Sequence, residues 1–170
     1  MTAVISGRAW VFGDNVNTDV MAPGLYFKSP MSAMAKHCME AVNPDFASQV
    51  QPGDIVVGGK NFGIGSAREQ AAMALQYLGV GAVLAPSFGR IFYRNTLNFG
   101  IPALRLPADM IIEAGDQLHV EPETGRIRNE SRGTACAAPA LPPHLLQMVT
   151  AGGLMPYLKA RLAKENRDGR

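Results

Sequence analysis

Apolar residues fall in short blocks separated by Gly-, Pro- and Asn-rich breaks, and the spacing inside each block predicts its element. Residues 4–12 (Val-Ile-Ser-Gly-Arg-Ala-Trp-Val-Phe) are rich in β-branched and aromatic side chains and predict a strand. A polar loop follows at 13–19. Ser29-Pro30 reads as a cap followed by proline in a first helical turn, and Met31, Met34, Ala35 and Cys38 recur at helical spacing. Asn43-Pro44 ends that helix near residue 42. After the turn Pro52-Gly53-Asp54, the run 55–59 is short and apolar and predicts a buried strand. A helix is expected from about Ala67 to Leu78, stopped by Gly79 and Gly81, and then a second buried strand at 82–85. Strand, loop, helix and strand over 55–85 make a crossover between parallel strands, right-handed by the general rule.

Further along, Arg90–Phe99 predicts a helix closed by Gly100, and 102–106 a third strand. Residues 115–120 and 124–127 predict an antiparallel hairpin. Pro142–Thr150 and Leu154–Lys164 predict two short helices divided by Gly152-Gly153. The fold class expected is α/β, a small parallel core with antiparallel additions.

At 170 residues, 47% hydrophobic and 18% charged, the chain is long enough for one well-filled domain. That domain is expected over 1–158. Residues 159–170 carry five basic and two acidic side chains, a net +3 that leaves −1 for the remainder, so this segment reads as a polar, frayed tail. No basic stripe interleaved with aromatics accompanies it, so nucleic acid is not an expected partner. Cys38 and Cys136 lie too far apart in sequence for a metal-binding spacing, and two cysteines do not suggest a disulfide scaffold. No charged leader and sustained apolar run opens the sequence, and no apolar stretch is long enough to span a bilayer. The expected location is cytoplasmic, with no membrane contact.

The segment 60–69 (Lys-Asn-Phe-Gly-Ile-Gly-Ser-Ala-Arg-Glu) holds the densest chemistry. Gly63 and Gly65 free the backbone for a tight turn, Ser66 supplies a hydroxyl and Arg68 a guanidinium where a helix is expected to begin. A serine in that place fits a simple helix cap as well as an anion site. Known glycine loops do not match. The dinucleotide fingerprint needs glycine where Arg68 stands, the phosphate loop needs Gly-Lys-Ser/Thr, and a nucleophile elbow needs glycines where Ile64 and Arg68 stand.

Gly63-Ile64-Gly65-Ser66-Ala67-Arg68-Glu69-Gln70 resembles the signature of the swivelling β/β/α domain of the aconitase superfamily. Supporting segments stand in the expected order: Asp14–Asp19, Gly53-Asp54, Lys60-Asn61-Phe62 and Ser87–Asn95. The resemblance covers roughly residues 7–130, and a chain of this length is similar to the separate small subunits of 3-isopropylmalate dehydratase and homoaconitase. It implies a hydro-lyase that removes water from a hydroxydicarboxylate and returns it at the neighbouring carbon. It further implies a [4Fe-4S] cluster held by three cysteines on a large partner subunit. By the same resemblance Ser66 is the general base, Arg68 and Gly65 bind substrate carboxylate, and Asp19 lies beside the site.

Two departures stand out: Ile64 replaces a frequent cysteine and Ala67 a frequent second serine. Lys28, in Tyr26-Phe27-Lys28-Ser29, aligns with the loop tied to substrate choice, where relatives carry an apolar residue or an arginine. Lysine has the sign for a second carboxylate without arginine's fork, and its stem can also cover an alkyl group. The substrate thus stays open between 3-isopropylmalate, homoaconitate and methyl- or dimethylmalate, and a non-catalytic carboxylate-binding module is the alternative of another class. His37, His119 and His144 read as structural or exposed; Arg90 and Arg94, four apart on an expected helix, read as structural, with acid pairing or a place facing the substrate cleft as the alternatives.

Overall fold

The structure is a computed structural model describing residues 3–169; Met1, Thr2 and Arg170, which the expected domain and tail ranges include, lie outside the described residues. Seven strands form one mixed sheet: β1 (Ile5–Val11), β2 (Ile55–Val57), β3 (Ala82–Ala85), β4 (Ala103–Arg105), β5 (Gln117–Glu121), β6 (Arg126–Asn129) and β7 (Thr134–Ala137). Their order is β4-β3-β2-β1-β5-β6-β7. β1 to β4 run parallel, with Trp10 opposite Val56, Val56 opposite Val83 and Leu84 opposite Leu104. β5 to β7 are antiparallel, and β1 joins the halves by pairing Ile5 with Val120 and Gly7 with Leu118.

β2 and β3 are buried at every position, as their unbroken apolar runs require of strands covered on both faces. Alternation divides them between two cores. Val56 and Val83 face a cluster with Phe12, Met21, Phe46, Phe62 and Leu75. Ile55, Val57 and Leu84 face another with Leu118, Val120, Ile127 and Met148, so parallel and antiparallel strands share one interior and the sheet curls on itself. Helix α4 (Gln70–Tyr77) packs Ala71, Ala74 and Leu75 on the first core. α5 (Arg90–Asn98) contributes Phe92 to the first and Leu97 to the second, and α6 (Pro143–Thr150) lies on the second.

Several expectations change. The helix expected to run from Ser29 to about residue 42 is only α2 (Met31–Met34), continued by a 3-10 turn at Ala35–His37. Pro30, not Ser29, is its extended N-cap residue and makes no side-chain cap. The chain leaves helical geometry because Met39 adopts φ 62° and gives its N–H to the Val20 carbonyl at 3.0 Å. Two one-turn helices, α1 (Thr18–Met21) and α3 (Phe46–Gln49), were not expected, nor was β7, whose mostly exposed small residues carry no alternation. α7 (Leu154–Asp168) runs past the expected Lys164 through most of the polar segment, with no buried residue.

Asp116 locks the antiparallel half. Its side chain accepts the Glu113 N–H (2.9 Å), Asn129 Nδ2 (2.8 Å) and Arg132 Nε (2.8 Å). The Glu113 N–H, then Asn129 and Arg132, hold its carboxyl below the ordinary carboxylate range. That stabilisation is present above the ordinary carboxylate range and is lost as pH falls through the lowered folded-state value. Asp116→Asn should cost about 1–3 kcal/mol in urea unfolding at pH 7, because a neutral amide oxygen then replaces the charged acceptor of three donors, one of them the Arg132 guanidinium. The gap between variant and parent should narrow as pH is lowered through the acid range.

Candidate active site

Three loops leave the carboxyl ends of neighbouring strands β1, β2 and β3, the edge where open α/β sheets present ligand sites. Their backbones remain paired beyond the strands. Asn15 N–H donates to the Lys60 carbonyl (2.7 Å), Gly63 N–H to Val16 (2.8 Å) and Thr18 N–H to Ile64 (2.8 Å). On the other side Phe62 N–H reaches Ser87 (3.0 Å) and Gly89 N–H reaches Phe62 (2.8 Å). Side chains add cross-ties: Asp14 Oδ1 accepts the Lys60 N–H at 2.7 Å, and Asn61 Nδ2 donates to Asn15 Oδ1 at 3.0 Å. The motif segments that stand apart in sequence are therefore three adjacent loops of one sheet edge.

Within this frame the glycines are sterically required. Gly63 has φ 82°, and a Cβ there would lie 2.2 Å from the Phe92 ring. Gly65 has φ 111°, and its Cβ would lie 2.4 Å from Asn17 Oδ1, which already accepts the Asp19 N–H at 2.9 Å.

Ser66 follows, half-buried, and it does not cap α4. The helix begins at Gln70, three residues later than expected, with Glu69 at the N-cap and no side-chain cap bond. The cap reading of Ser66 therefore fails, and so does direct help from this helix dipole, which fades within the first turn. Ser66 instead pairs with Thr18, which is 2% exposed. Its N–H donates to Thr18 Oγ1 (3.1 Å), and the two hydroxyl oxygens lie 3.2 Å apart. Sequence reading singled out neither Thr18 nor Asn17. The only local signal was Asn-Thr-Asp at the start of an apolar turn, an N-cap pattern.

Arg68 is exposed and lies over an aromatic ring, its Cζ 4.0 Å from the Phe27 centroid. Nη1 is 3.7 Å from Asp19 Oδ1, with the two side chains 48% and 60% exposed. At that distance and exposure the pair contributes little and leaves the guanidinium free to take another carboxylate. Ser66, Gly65, Asp19 and Arg68 thus share one place. Lys28 follows Phe27 directly but stays exposed, and among the described residues no ion pair involves it. A shallow concavity of about 280 Å³ runs from Gly63–Ser66 to Gly89–Ile91. Arg90, expected to be structural, is exposed on its rim without an ion pair to a described residue.

Other groups offer less. A concavity of about 380 Å³ between Asp109–Ile111 and β7 contains Arg132, already tied to Glu113 and Asp116. Its Cys136 thiol is pushed up by burial and by Asp109. Cys38 is fully buried, which raises its thiol strongly and keeps it protonated. His37 sits in the 3-10 turn, stacked on Tyr26 at 3.7 Å, and His119 bridges Ser6 and Glu130. Among the described residues no three His, Cys, Asp or Glu side chains converge as a metal site. No helix among them is long and apolar enough to cross a membrane.

Residues 18–109 match the Aconitase C-terminal domain family. The chain belongs to that family. It is 44% identical over 167 residues to the isopropylmalate/citramalate isomerase small subunit of Methanocaldococcus jannaschii, covering 96% of this chain and 99% of that one. It is also 44% identical to the 3-isopropylmalate dehydratase small subunit 1 of Thermotoga maritima, covering 92% of this chain and 95% of the relative. Identity to the homoaconitase small subunit of Methanothermobacter thermautotrophicus is again 44%, covering 94% of each chain. The crystal structure of 3-isopropylmalate dehydratase from M. jannaschii superposes with a TM-score of 0.91 at 36% identity, covering 98% of this chain and 99% of that one. The curled mixed sheet is therefore the architecture of this family.

Gly65→Ala should lower stability by about 1–3 kcal/mol, since the added methyl meets Asn17 at a left-handed φ. Asp19→Asn, which removes only a loose exposed pair, should change it by less than about 0.5 kcal/mol. Urea titration of both variants checks the contrast.

Proposed function

We propose that this chain is the small subunit of a heteromeric aconitase-type hydro-lyase acting on 3-isopropylmalate in leucine biosynthesis, in the cytoplasm. The observation that carries the proposal is a half-site open to solvent: a serine hydroxyl and a stacked, loosely paired guanidinium on a frame of nearly the full length of its dehydratase relatives. The cysteines here cannot hold an iron–sulfur cluster. One thiol is buried and protonated, the other is in β7, and a cluster needs several converging thiolates. The [4Fe-4S] group implied by the family would belong to the large subunit, where it supplies an electrophilic site for the substrate hydroxyl.

The residues of this chain account for the other side of the reaction. Arg68 grips the carboxylate next to the reacting carbon in a two-point contact, its guanidinium supported by the Phe27 ring. Ser66 Oγ, in its ionised form, takes the proton from that carbon and becomes a neutral hydroxyl, while the C–H electron pair becomes the double bond and the hydroxyl leaves the neighbouring carbon. Hydration is the reverse process at the other carbon. Negative charge develops on the carboxylate as the proton leaves, so an arginine at that end lowers the barrier. Gly65 keeps the backbone beside Ser66 bare for close approach, and Asp19 steers Arg68.

A second substrate reading has its own support. Lys28 adds an exposed, unpaired cation to the loop that carries Phe27, which suits a second carboxylate and hence homoaconitate. A small methyl- or dimethylmalate also fits, with the lysine stem over the alkyl group. A carboxylate-binding module without catalysis would instead bind hydroxydicarboxylates tightly in the absence of any partner, which calorimetric titration of the isolated chain measures.

In the complex with a cluster-loaded large subunit, Ser66→Ala should reduce turnover by about 10²-fold or more while leaving assembly intact. Turnover near that of the parent would remove Ser66 from the base role. Lys28→Val should favour 3-isopropylmalate over homoaconitate and Lys28→Arg the reverse, measured as ratios of kcat/KM. Unchanged ratios in both variants would refute the assignment of this loop.

A further inference from the structure

Thr18 is a buried hydroxyl whose partners are concentrated on Ser66. Its Oγ1 accepts the Ser66 N–H at 3.1 Å, which occupies one lone pair and fixes the backbone of the base relative to α1. Three acceptors remain for its own proton: Ser66 Oγ at 3.2 Å, the Ser66 carbonyl at 3.4 Å and Asn17 Oδ1 at 3.5 Å. Asn17 Oδ1 is already engaged by the Asp19 N–H at 2.9 Å. The two longer contacts lie at the limit of useful hydrogen bonding, so Ser66 Oγ is the best-placed acceptor. At 2% exposure, no bulk water competes for the Thr18 proton.

We infer that Thr18 is a positioning residue for the base: its O–H donates to Ser66 Oγ and stabilises that oxygen in its ionised form. This rests on the reading of Ser66 as the base. A hydroxyl has one proton and two lone pairs, so a donating Thr18 turns the Ser66 proton away from itself, toward the open side where substrate binds. When Ser66 Oγ carries charge, the same contact becomes a charge-assisted bond, about twice as strong as a neutral one. Thr18 keeps its proton throughout, and no group is transferred to it. Arg68 adds positive charge on this face and Arg90 on the rim of the concavity, while Asp19 opposes them. None of these donates a hydrogen bond to Ser66 Oγ. A methyl in place of the buried Thr18 hydroxyl would satisfy the packing, but only the oxygen fits the hydrogen bonds to Ser66.

The test compares Thr18→Val, which keeps the shape without the hydroxyl, with Thr18→Ser, which keeps the hydroxyl. Each variant is assayed in the complex with the large subunit on 3-isopropylmalate across pH. Thr18→Val should lower kcat by about 10–100-fold and move the acid limb of the kcat profile to higher pH by about one unit, with KM changed less than about threefold. Thr18→Ser should stay within about threefold of the parent and keep its limb. Simple displacement of the loop would lower kcat without moving the limb, so a Thr18→Val profile with the parent's limb overturns the inference. A limb displaced as far in Thr18→Ser overturns it too. Should Thr18→Val not assemble, Thr18→Ala against Thr18→Ser makes the same comparison, since the two differ by one oxygen. Ser66→Ala runs in parallel. If it retains turnover, the base reading falls and the inference with it; if it is inactive while Thr18→Val keeps the parent's limb, only the inference about Thr18 falls.

Discussion

The site depends on hydrogen bonding that continues the parallel sheet beyond its strands. Past Val11, Val57 and Ala85 the chain is no longer regular, yet Val16 pairs with Gly63, Thr18 with Ile64 and Phe62 with both Ser87 and Gly89. Those bonds satisfy backbone groups that a loop would otherwise leave to water, and they align three segments far apart in sequence. Everything chemical follows from that alignment. Thr18 can meet Ser66 only because Asn17 lies opposite Ile64, and the bare backbones of Gly63 and Gly65 are what let the loops approach this closely.

The curled sheet supplies the rigidity behind this edge. β1 serves both halves, with its first residues antiparallel to β5 and its last parallel to β2. Phe62 links loop to core, sealed at 0% exposure against Phe12 and Phe92, so the segment carrying Ser66 is anchored just before its first glycine. Burial of one such aromatic contributes about 1.5–3 kcal/mol, enough to hold a loop that forms no helix or strand.

The legible part of the sequence was the part governed by short-range periodicity. β2 and β3 are unbroken apolar runs, and α5 is closed by a glycine at φ 80°, so pattern and structure agree. The segment 31–42 deceived the eye because Met34, Ala35 and Cys38 are all buried, as a helix would have them. A distant acceptor, the Val20 carbonyl, draws the chain out of helical geometry at Met39, and local spacing contains no trace of it. The site divides in the same way. Ser66 and Arg68 announced themselves through glycines and an ordered set of motifs, although the late start of α4 changed their electrostatic setting. Thr18 is 48 positions from Ser66, and Phe27 lies in a different loop from Arg68, so neither partner was visible without the fold.

On the proposed reading of Arg68 as a carboxylate clamp, capture is an exchange of anions rather than the recruitment of a free side chain. Phe27 packs against the guanidinium before any ligand arrives, so on that reading less side-chain freedom is left for a carboxylate to remove. Asp19, displaced from a 3.7 Å contact, returns to water with most of its hydration never lost. On that reading capture and release differ by a small electrostatic step, suited to a ligand that must be held and let go on each turnover.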